Sequence, residues 1–138
     1  MKYEFYSTQE FIKELKTLSK KYKSLKDDLK KLQEEFVANP NLGISLGDGL
    51  RKIRLNITSK NTGKSGGARV ISHELLIEVG TTDETKSVAF ISIYDKSEYD
   101  TADLDIIKKI VKNFRETQQP TATKKTKKQK NNKLTTND

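Results

Sequence analysis

The sequence predicts an α+β fold: a small, mostly antiparallel β-sheet with an N-terminal α-hairpin packed on one face. Two observations support this class. Apolar residues recur at helical spacing over the first third of the chain and again near residue 110, and they alternate with polar residues in segments between these regions. Turn-forming glycine, asparagine and proline residues separate the segments. The predicted order is β-α-α-β-β-β-α, in a chain of 138 residues that fits one domain.

The first elements are a short strand and two helices. Tyr3 and Phe5 lie in a β-prone run, and residues 7–10 match a capping box that begins a helix. Spacings of three and four place apolar side chains on one face of each helix, with Ser24 as a plausible second cap. These side chains are Phe11, Leu15, Leu18 and Tyr22, then Leu25, Leu29, Leu32 and Phe36. Pro40 ends the second helix, so the α-hairpin extends to about residue 38.

Three strands and a third helix follow. In residues 51–58, Ile53 and Leu55 alternate with Lys52 and Arg54, so one face of this strand is core and the other is basic. Residues 68–78 and 87–94 are two further strands, joined by a linker, residues 80–84, that suits a hairpin. Apolar residues from 104 to 114 predict a helix that begins behind Thr101 or Asp100. With helices on one face, the other face of the sheet is expected to be open to a ligand.

Composition narrows the class of protein. The chain has no cysteine, which excludes disulfides, thiolate metal sites and thiol nucleophiles. No apolar run has the length of a signal peptide or a membrane span, so a cytoplasmic protein without membrane contact is expected. The net charge is +8, but residues 117–138 carry six lysines and one acid, which is +5 of that total. This segment is predicted to be a disordered, lysine-rich tail behind a domain of residues 1–116.

A local excess of positive charge marks residues 51–73 as the candidate functional region. The stretch contains no aspartate and no glutamate before His73, and its six cations are Arg51, Lys52, Arg54, Lys60, Lys64 and Arg69. Such a cluster favours a phosphate-bearing ligand, although an ordinary solvated strand face is the alternative. Glycines in the loop at residues 62–67 permit a close approach of the backbone to a phosphate or to another strand.

Other kinds of chemistry are poorly supported. Residues 63–65 read Gly-Lys-Ser, but the glycine that a P-loop requires five positions earlier is Thr58, and a β-run instead of a helix follows. One histidine, His73, excludes a two-histidine acid–base pair and is interpreted as structural. The acids of residues 95–105 surround a helix start, where they favour the helix dipole, so metal-free chemistry is predicted.

Three motifs together resemble toxins of the RelE/ParE superfamily, in particular its HigB-like branch, from bacterial type II toxin–antitoxin systems. They are residues 52–54 (KIR), 63–71 (GKSGGARVI) and 93–98 (IYDKSE). The resemblance covers about residues 3–114 and includes the preceding helical hairpin. It implies a RelE-like fold and a ribosome-dependent messenger RNA endoribonuclease that inhibits translation and arrests growth, without metal or other cofactor. It also implies that the partners are the ribosome, messenger RNA and a cognate antitoxin protein.

The resemblance also implies roles for individual residues. In RNA cleavage of this type the 2′-hydroxyl attacks the adjacent phosphate, so cations must bind the phosphate oxygens and a group must donate a proton to the leaving 5′-oxygen. Lys52 and Arg54 are expected near the scissile phosphate, Arg69 as a transition-state clamp, and Tyr94 as a base-stacking platform or proton relay. The expected additional phosphate contacts are Arg51, Lys60, Lys64 and Lys96.

Two further functions remain open at the level of sequence. One is a ParE-like inhibitor of DNA gyrase, which would act by binding a protein and would leave cleaved DNA. The other is a non-catalytic RNA- or DNA-binding module, which would show salt-sensitive binding without cleavage.

Overall fold

The computed structural model describes residues 2–60, 66–77, 84–98 and 102–117. The elements are β1 (Lys2–Ser7), α1 (Gln9–Lys21), α2 (Leu25–Ala38), β2 (Ile44–Gly47), β3 (Leu50–Leu55), a 3-10 helix (Thr58–Lys60), β4 (Ala68–Leu76), β5 (Thr85–Asp95) and α3 (Leu104–Thr117). The predicted tail from residue 118 onward, Lys64 and most of the 80–84 linker lie outside the described residues.

One five-stranded sheet organises the molecule, with the strand order β1-β5-β4-β3-β2. β1 is parallel to β5, whereas the other three pairings are antiparallel, so the sheet is mixed. The α+β class is confirmed, but the predicted order lacked β2. This edge strand lies in a segment that was interpreted as turns because of Gly43, Gly47 and Gly49, all of which have positive φ.

The helical hairpin packs on one face of the sheet, as predicted. Its apolar side chains form a core cluster with the inward residues of β3, β4 and β5. Phe90 lies at the centre, with ring centroids 5.5 Å from Phe11 and 5.8 Å from Phe5. Stacked aromatic rings at these separations add to the stabilisation from their burial. The hairpin therefore fixes β5 firmly from one side.

α3 packs on the opposite face, which corrects the expectation that this face is left open. Ile107 and Phe114 belong to a second core cluster that includes Leu50, Ile71 and Ile91. An amphipathic helix has to bury its apolar stripe, but its spacing does not specify which face of a sheet it will cover. The position of α3 is thus a feature that only the three-dimensional structure supplies.

α1 begins within the predicted segment, residues 7–10, but its cap is one residue later than a capping box from Ser7 to Glu10 requires. Thr8 is the N-cap, and its Oγ1 accepts a hydrogen bond from the backbone N–H of Phe11 at 3.0 Å. Ser24 precedes α2 at the predicted position, but its side chain makes no capping bond to the helix backbone. Its hydroxyl instead donates to the carboxylate of Asp28 at 2.7 Å. Ser24 therefore holds the start of α2 through Asp28 and not through the helix backbone.

A cap at Asp100, the earlier of the two predicted caps, would start α3 at residue 101. The helix begins three residues later. Its first residue is Leu104, and the carboxylate of Asp103 accepts from the backbone N–H of Asp105 at 3.0 Å. Asp103 is therefore the capping residue, while Thr101 and Asp100 lie outside the described residues. An acid at this point also favours the helix dipole, which agrees with the interpretation of the acidic segment.

Beyond the end of β1, side chains instead of a neighbouring strand form hydrogen bonds with the backbone of β5. β1 pairs with β5 only as far as Phe90. Beyond it, the Thr8 hydroxyl donates to the carbonyl of Ile91 at 3.1 Å, and Glu14 accepts from the backbone N–H of Ile93 at 3.2 Å. Burial raises the pKa of Glu14, although this hydrogen bond opposes the shift. α1 thereby satisfies the backbone of the half of β5 that leads to the candidate site.

A second buried carboxylate fixes the chain just after β3. Asp28 is 4% exposed, and its oxygens accept from the backbone N–H of Thr58 at 2.9 Å and from the Thr58 hydroxyl at 2.6 Å. Ser24 supplies a third bond to the same carboxylate. The start of α2 and the 3-10 helix are therefore held together by one side chain.

Replacing Asp28 with alanine is expected to lower the free energy of unfolding by about 2 kcal/mol, because charge-assisted hydrogen bonds to a buried carboxylate are lost. Urea denaturation followed by circular dichroism measures the change. Asp27→Ala is the matched control, since Asp27 is exposed in the same helical turn and should change the free energy by less than about 0.5 kcal/mol. Equal effects of the two substitutions would contradict the anchoring role.

No helix among the described residues is both long enough and apolar enough to cross a membrane.

Candidate anion-binding groove

Three of the predicted site residues lie side by side across neighbouring strands. Arg54 in β3 is directly opposite Arg69 in β4, and Arg69 is directly opposite Tyr94 in β5. Because side chains alternate along a strand, Lys52 projects from the same face as Arg54. The fold therefore brings all four residues that were predicted as catalytic to one face of the sheet.

A groove of about 420 Å³ lies at three of these residues, Lys52, Arg54 and Arg69. Four cations line it: Lys52, Arg54, Arg69 and Lys96. In the part of the chain that the structure describes, the other lining residues are Leu42, Gly43, Ile44 and Ile53, and none of these is acidic. A concave surface with several cations and no acid concentrates a positive potential and suits an anion. The predicted grouping of Lys52, Arg54, Arg69 and Lys96 is thus present in space.

Arg69 is the central and most buried cation of the groove. It is 6% exposed, and its Nη1 donates to the carbonyl of Ala68 at 3.1 Å. Burial lowers the pKa of Arg69, and the nearby positive charge of Arg54 lowers it further. Like charges directly opposite each other on adjacent strands are destabilising by a few tenths of a kcal/mol or more. A bound anion would relieve this repulsion.

Tyr94 lies next to Arg69 but is largely withdrawn from solvent. The residue is 6% exposed, and it belongs to the core cluster that packs against Ile107 of α3. Burial raises the pKa of Tyr94, while the positive charge of Arg69 opposes the shift. A ring enclosed in this way cannot serve as a stacking platform for an entering base. The predicted role as a proton relay stays a prediction.

Two of the predicted phosphate contacts lie away from the groove. Arg51 alternates with Lys52 along β3 and therefore projects from the opposite face, where its Nε pairs with the carboxylate of Glu74. Lys60 forms a salt bridge of 2.8 Å with Asp95, which is fully buried. These two cations were grouped with the site because of their charge alone, and their partners show that they contribute to the fold instead.

Asp95 is the centre of a network that sequence analysis did not identify. Its carboxylate accepts from the Tyr22 hydroxyl at 2.6 Å, from the Lys60 ammonium at 2.8 Å and from the Ser97 hydroxyl at 2.8 Å. Burial alone would raise the pKa of Asp95, but these hydrogen bonds hold it well below its usual range. The network ties the C-cap of α1, the 3-10 helix and the end of β5 together. The only signal in the sequence was the acid between Tyr94 and Lys96.

The close approach that was expected of the loop glycines is present at Gly67. A β-carbon there would lie within 3.2 Å of three backbone atoms, contributed by Leu55 and Ile57. The backbone of Gly67 therefore approaches another strand, which is one of the two functions expected for these glycines. The predicted phosphate contact Lys64 lies in residues 61–65, outside the described part of the chain.

His73 has a structural environment. Its Nδ1 accepts from the Nε of Arg115 at 3.0 Å, and the same guanidinium donates to the carbonyl of His73 at 3.0 Å. Burial lowers the pKa of His73 to about 4, and the charge of Arg115 contributes to the shift. The imidazole therefore acts as a neutral acceptor that fixes the end of α3 on the sheet.

The free energy of unfolding is expected to fall by on the order of 1–2 kcal/mol as the pH is lowered from about 7 to about 5. The folded pKa of His73 lies below its ordinary value of 6.5, so the unfolded chain binds more protons in this range. The contribution is complete above about pH 6.5 and declines below it. Thermal unfolding at several pH values measures the slope. His73→Gln should flatten it, because the chain has one histidine; an unchanged slope would contradict the assignment.

Within the described ranges, no three histidine, aspartate or glutamate side chains are grouped in a way that could bind a metal ion. No protein-family model matches the chain. Fold and site together define a small α+β domain whose mixed sheet carries a groove lined by four cations.

Proposed function

We propose that this protein is the toxin of a bacterial type II toxin–antitoxin system, a RelE-like endoribonuclease of the HigB-like branch that cuts messenger RNA on the ribosome. The observation that carries the proposal is the pairing of Arg54 with Arg69 across adjacent strands, within a groove that also contains Lys52 and Lys96. Two arginines directly opposite each other, with Lys52 and Lys96 in the same groove, create a positive potential that attracts an anion. A phosphodiester supplies that anion.

The groove provides the groups that metal-independent cleavage requires. The 2′-oxygen attacks phosphorus, the bond to the 5′-oxygen breaks, and a cyclic phosphate and a 5′-hydroxyl are formed. Arg69 and Arg54 would hold the non-bridging oxygens as their charge increases in the transition state. Lys52 lies beside them to take or deliver a proton, and the buried Tyr94, directly opposite Arg69 on β5, is the candidate relay behind the groove wall.

The surrounding fold is compatible with a rigid site of this kind. Three of the four groove cations lie on two neighbouring strands in defined register, and Lys96 follows β5 directly. Strands hold side chains more accurately than loops do, which phosphoryl chemistry needs. We further propose a cytoplasmic protein whose cognate antitoxin covers the groove with an acidic segment, because opposite charge favours such an interface.

Induced expression in a bacterium, with the 5′ ends of messenger RNA mapped, tests the proposed function. We expect growth arrest and new 5′-hydroxyl ends within translated codons, both of which Arg69→Ala should abolish. Growth arrest with cleaved DNA and without new RNA ends would favour gyrase inhibition instead. Salt-sensitive RNA binding with neither kind of damage would favour a non-catalytic binding module.

A further inference from the structure

The groove has two chemically different ends. One end is formed by Arg54, Arg69 and Lys96, whereas the other has Ile44 opposite Lys52, so that apolar surface lies beside a cation there. An anion alone would need only the first end. The apolar end therefore indicates a ligand that joins a charged group to a hydrophobic one.

Ile44 is unusually accessible for its type. It is 58% exposed, the largest value among the exposed large hydrophobic residues of the described part of the chain. A single exposed apolar side chain is ordinary on a protein surface. What distinguishes Ile44 is that it lines a concave site beside Lys52, its direct partner across β2 and β3.

The apolar end is held in place by Gly43. This residue has a φ of +85°, and a β-carbon there would lie 2.5 Å from the carbonyl oxygen of Lys52 and 2.8 Å from Cγ1 of Ile53. Because glycine has no β-carbon, the backbone can pass directly against β3 before β2 begins. Ile44 is consequently fixed on the wall of the groove and not on a loose loop.

We infer that the groove binds one unpaired nucleotide, with the base against Ile44 and the phosphate between Arg54 and Arg69. A nucleotide joins a flat, largely apolar ring to an anion over a short distance, and the groove volume of about 420 Å³ is within the range of small-ligand sites. The base has to be unpaired because a duplex hides its faces in the helical stack. The inference rests on the proposed function for its choice of RNA, and it assigns to the edge strand the base contact that the buried Tyr94 cannot make.

A comparison of two single-stranded oligomers tests this inference. One is a 2′-O-methyl oligoribonucleotide, which cannot be cleaved, and the other is an abasic oligomer of equal length and charge. The wild-type protein should bind the first about tenfold more tightly, since a base contact contributes roughly this factor or more. Ile44→Ala should reduce that preference about fivefold and leave binding of the abasic oligomer nearly unchanged, whereas Ile44→Phe should retain it. Fluorescence anisotropy measures each affinity.

The control is Ile106→Ala, which removes an apolar side chain of similar exposure on α3 that does not line the groove. It should leave both affinities unchanged. Equal wild-type affinity for the two oligomers, or tighter binding of a duplex, would overturn the base contact and leave the phosphate site intact. If Arg54→Met and Arg69→Ala both bind the abasic oligomer as tightly as the wild type does, the phosphate site fails, and the proposed function loses its support with it.

Discussion

Arg69→Ala is expected to slow messenger RNA cleavage by about 100- to 1,000-fold, the range observed when one preorganised group that stabilises transition-state charge is removed. Arg69 is 6% exposed and lies opposite Arg54, so its guanidinium is held in place before the substrate arrives. Its burial also strengthens each interaction with a phosphate oxygen, because little water competes. The measurement is the rate of cleavage of a messenger RNA in a purified translation system with excess toxin.

Two substitutions separate this effect from a general loss of charge or of folding. Arg69→Lys keeps the charge but loses the planar fork, and it should recover only part of the rate. Arg51→Ala removes a cation on the neighbouring strand that faces the other side of the sheet and pairs with Glu74. It should retain nearly full activity. Equal losses for Arg51→Ala and Arg69→Ala, at unchanged melting temperature, would refute a site centred on Arg69.

Arg54→Met is expected to weaken binding of a short phosphodiester about tenfold and, at low salt, to stabilise the free protein by a few tenths of a kcal/mol. Both changes have one cause. The guanidinium of Arg54 repels that of Arg69 in the empty groove, and both attract the same anion when it is present. Titration of a 2′-O-methyl dinucleotide gives the affinity, and urea denaturation gives the stability.

The matched control for Arg54→Met is Lys16→Met, which removes one exposed cation from α1, distant in sequence from the groove. It lowers the net charge equally, so a non-specific electrostatic effect would weaken binding to the same extent. We expect less than a twofold change for Lys16→Met. If Arg54→Met lowers the stability of the protein and leaves its affinity for the dinucleotide unchanged, the two arginines neither repel each other nor bind the same anion.

The position of the groove was predictable from alternation in a single strand. Ile53 and Leu55 face the core, so Lys52 and Arg54 had to share the other face. The same alternation also places Arg51 with the core-facing residues, yet a count of positive charges grouped it with the site. The alternation along β3 therefore predicts correctly which face each of these cations projects from, whereas the number of positive charges does not.

Other features depended on contacts between distant parts of the chain. Lys60 pairs with Asp95, thirty-five positions away, and no local pattern indicates that pairing. β2 is a short segment among glycines with little β-propensity of its own. It is a strand because its backbone pairs with the edge of β3. The burial of Tyr94 follows from the side of the sheet that α3 covers. Sequence periodicity determines which face of an element is apolar, but not what that face packs against.

The pairing of β1 with β5 has a consequence for the order of assembly during synthesis. β1 is made before the part of β5 that pairs with it, which extends from Thr85, the partner of Lys2, to Phe90, the partner of Ser7. Lys96 follows that same late strand. A nascent chain can form the α-hairpin early from local contacts, whereas the sheet has to wait for long-range pairing. The groove is therefore completed only after β5 has left the ribosomal exit tunnel, later than the α-hairpin can form.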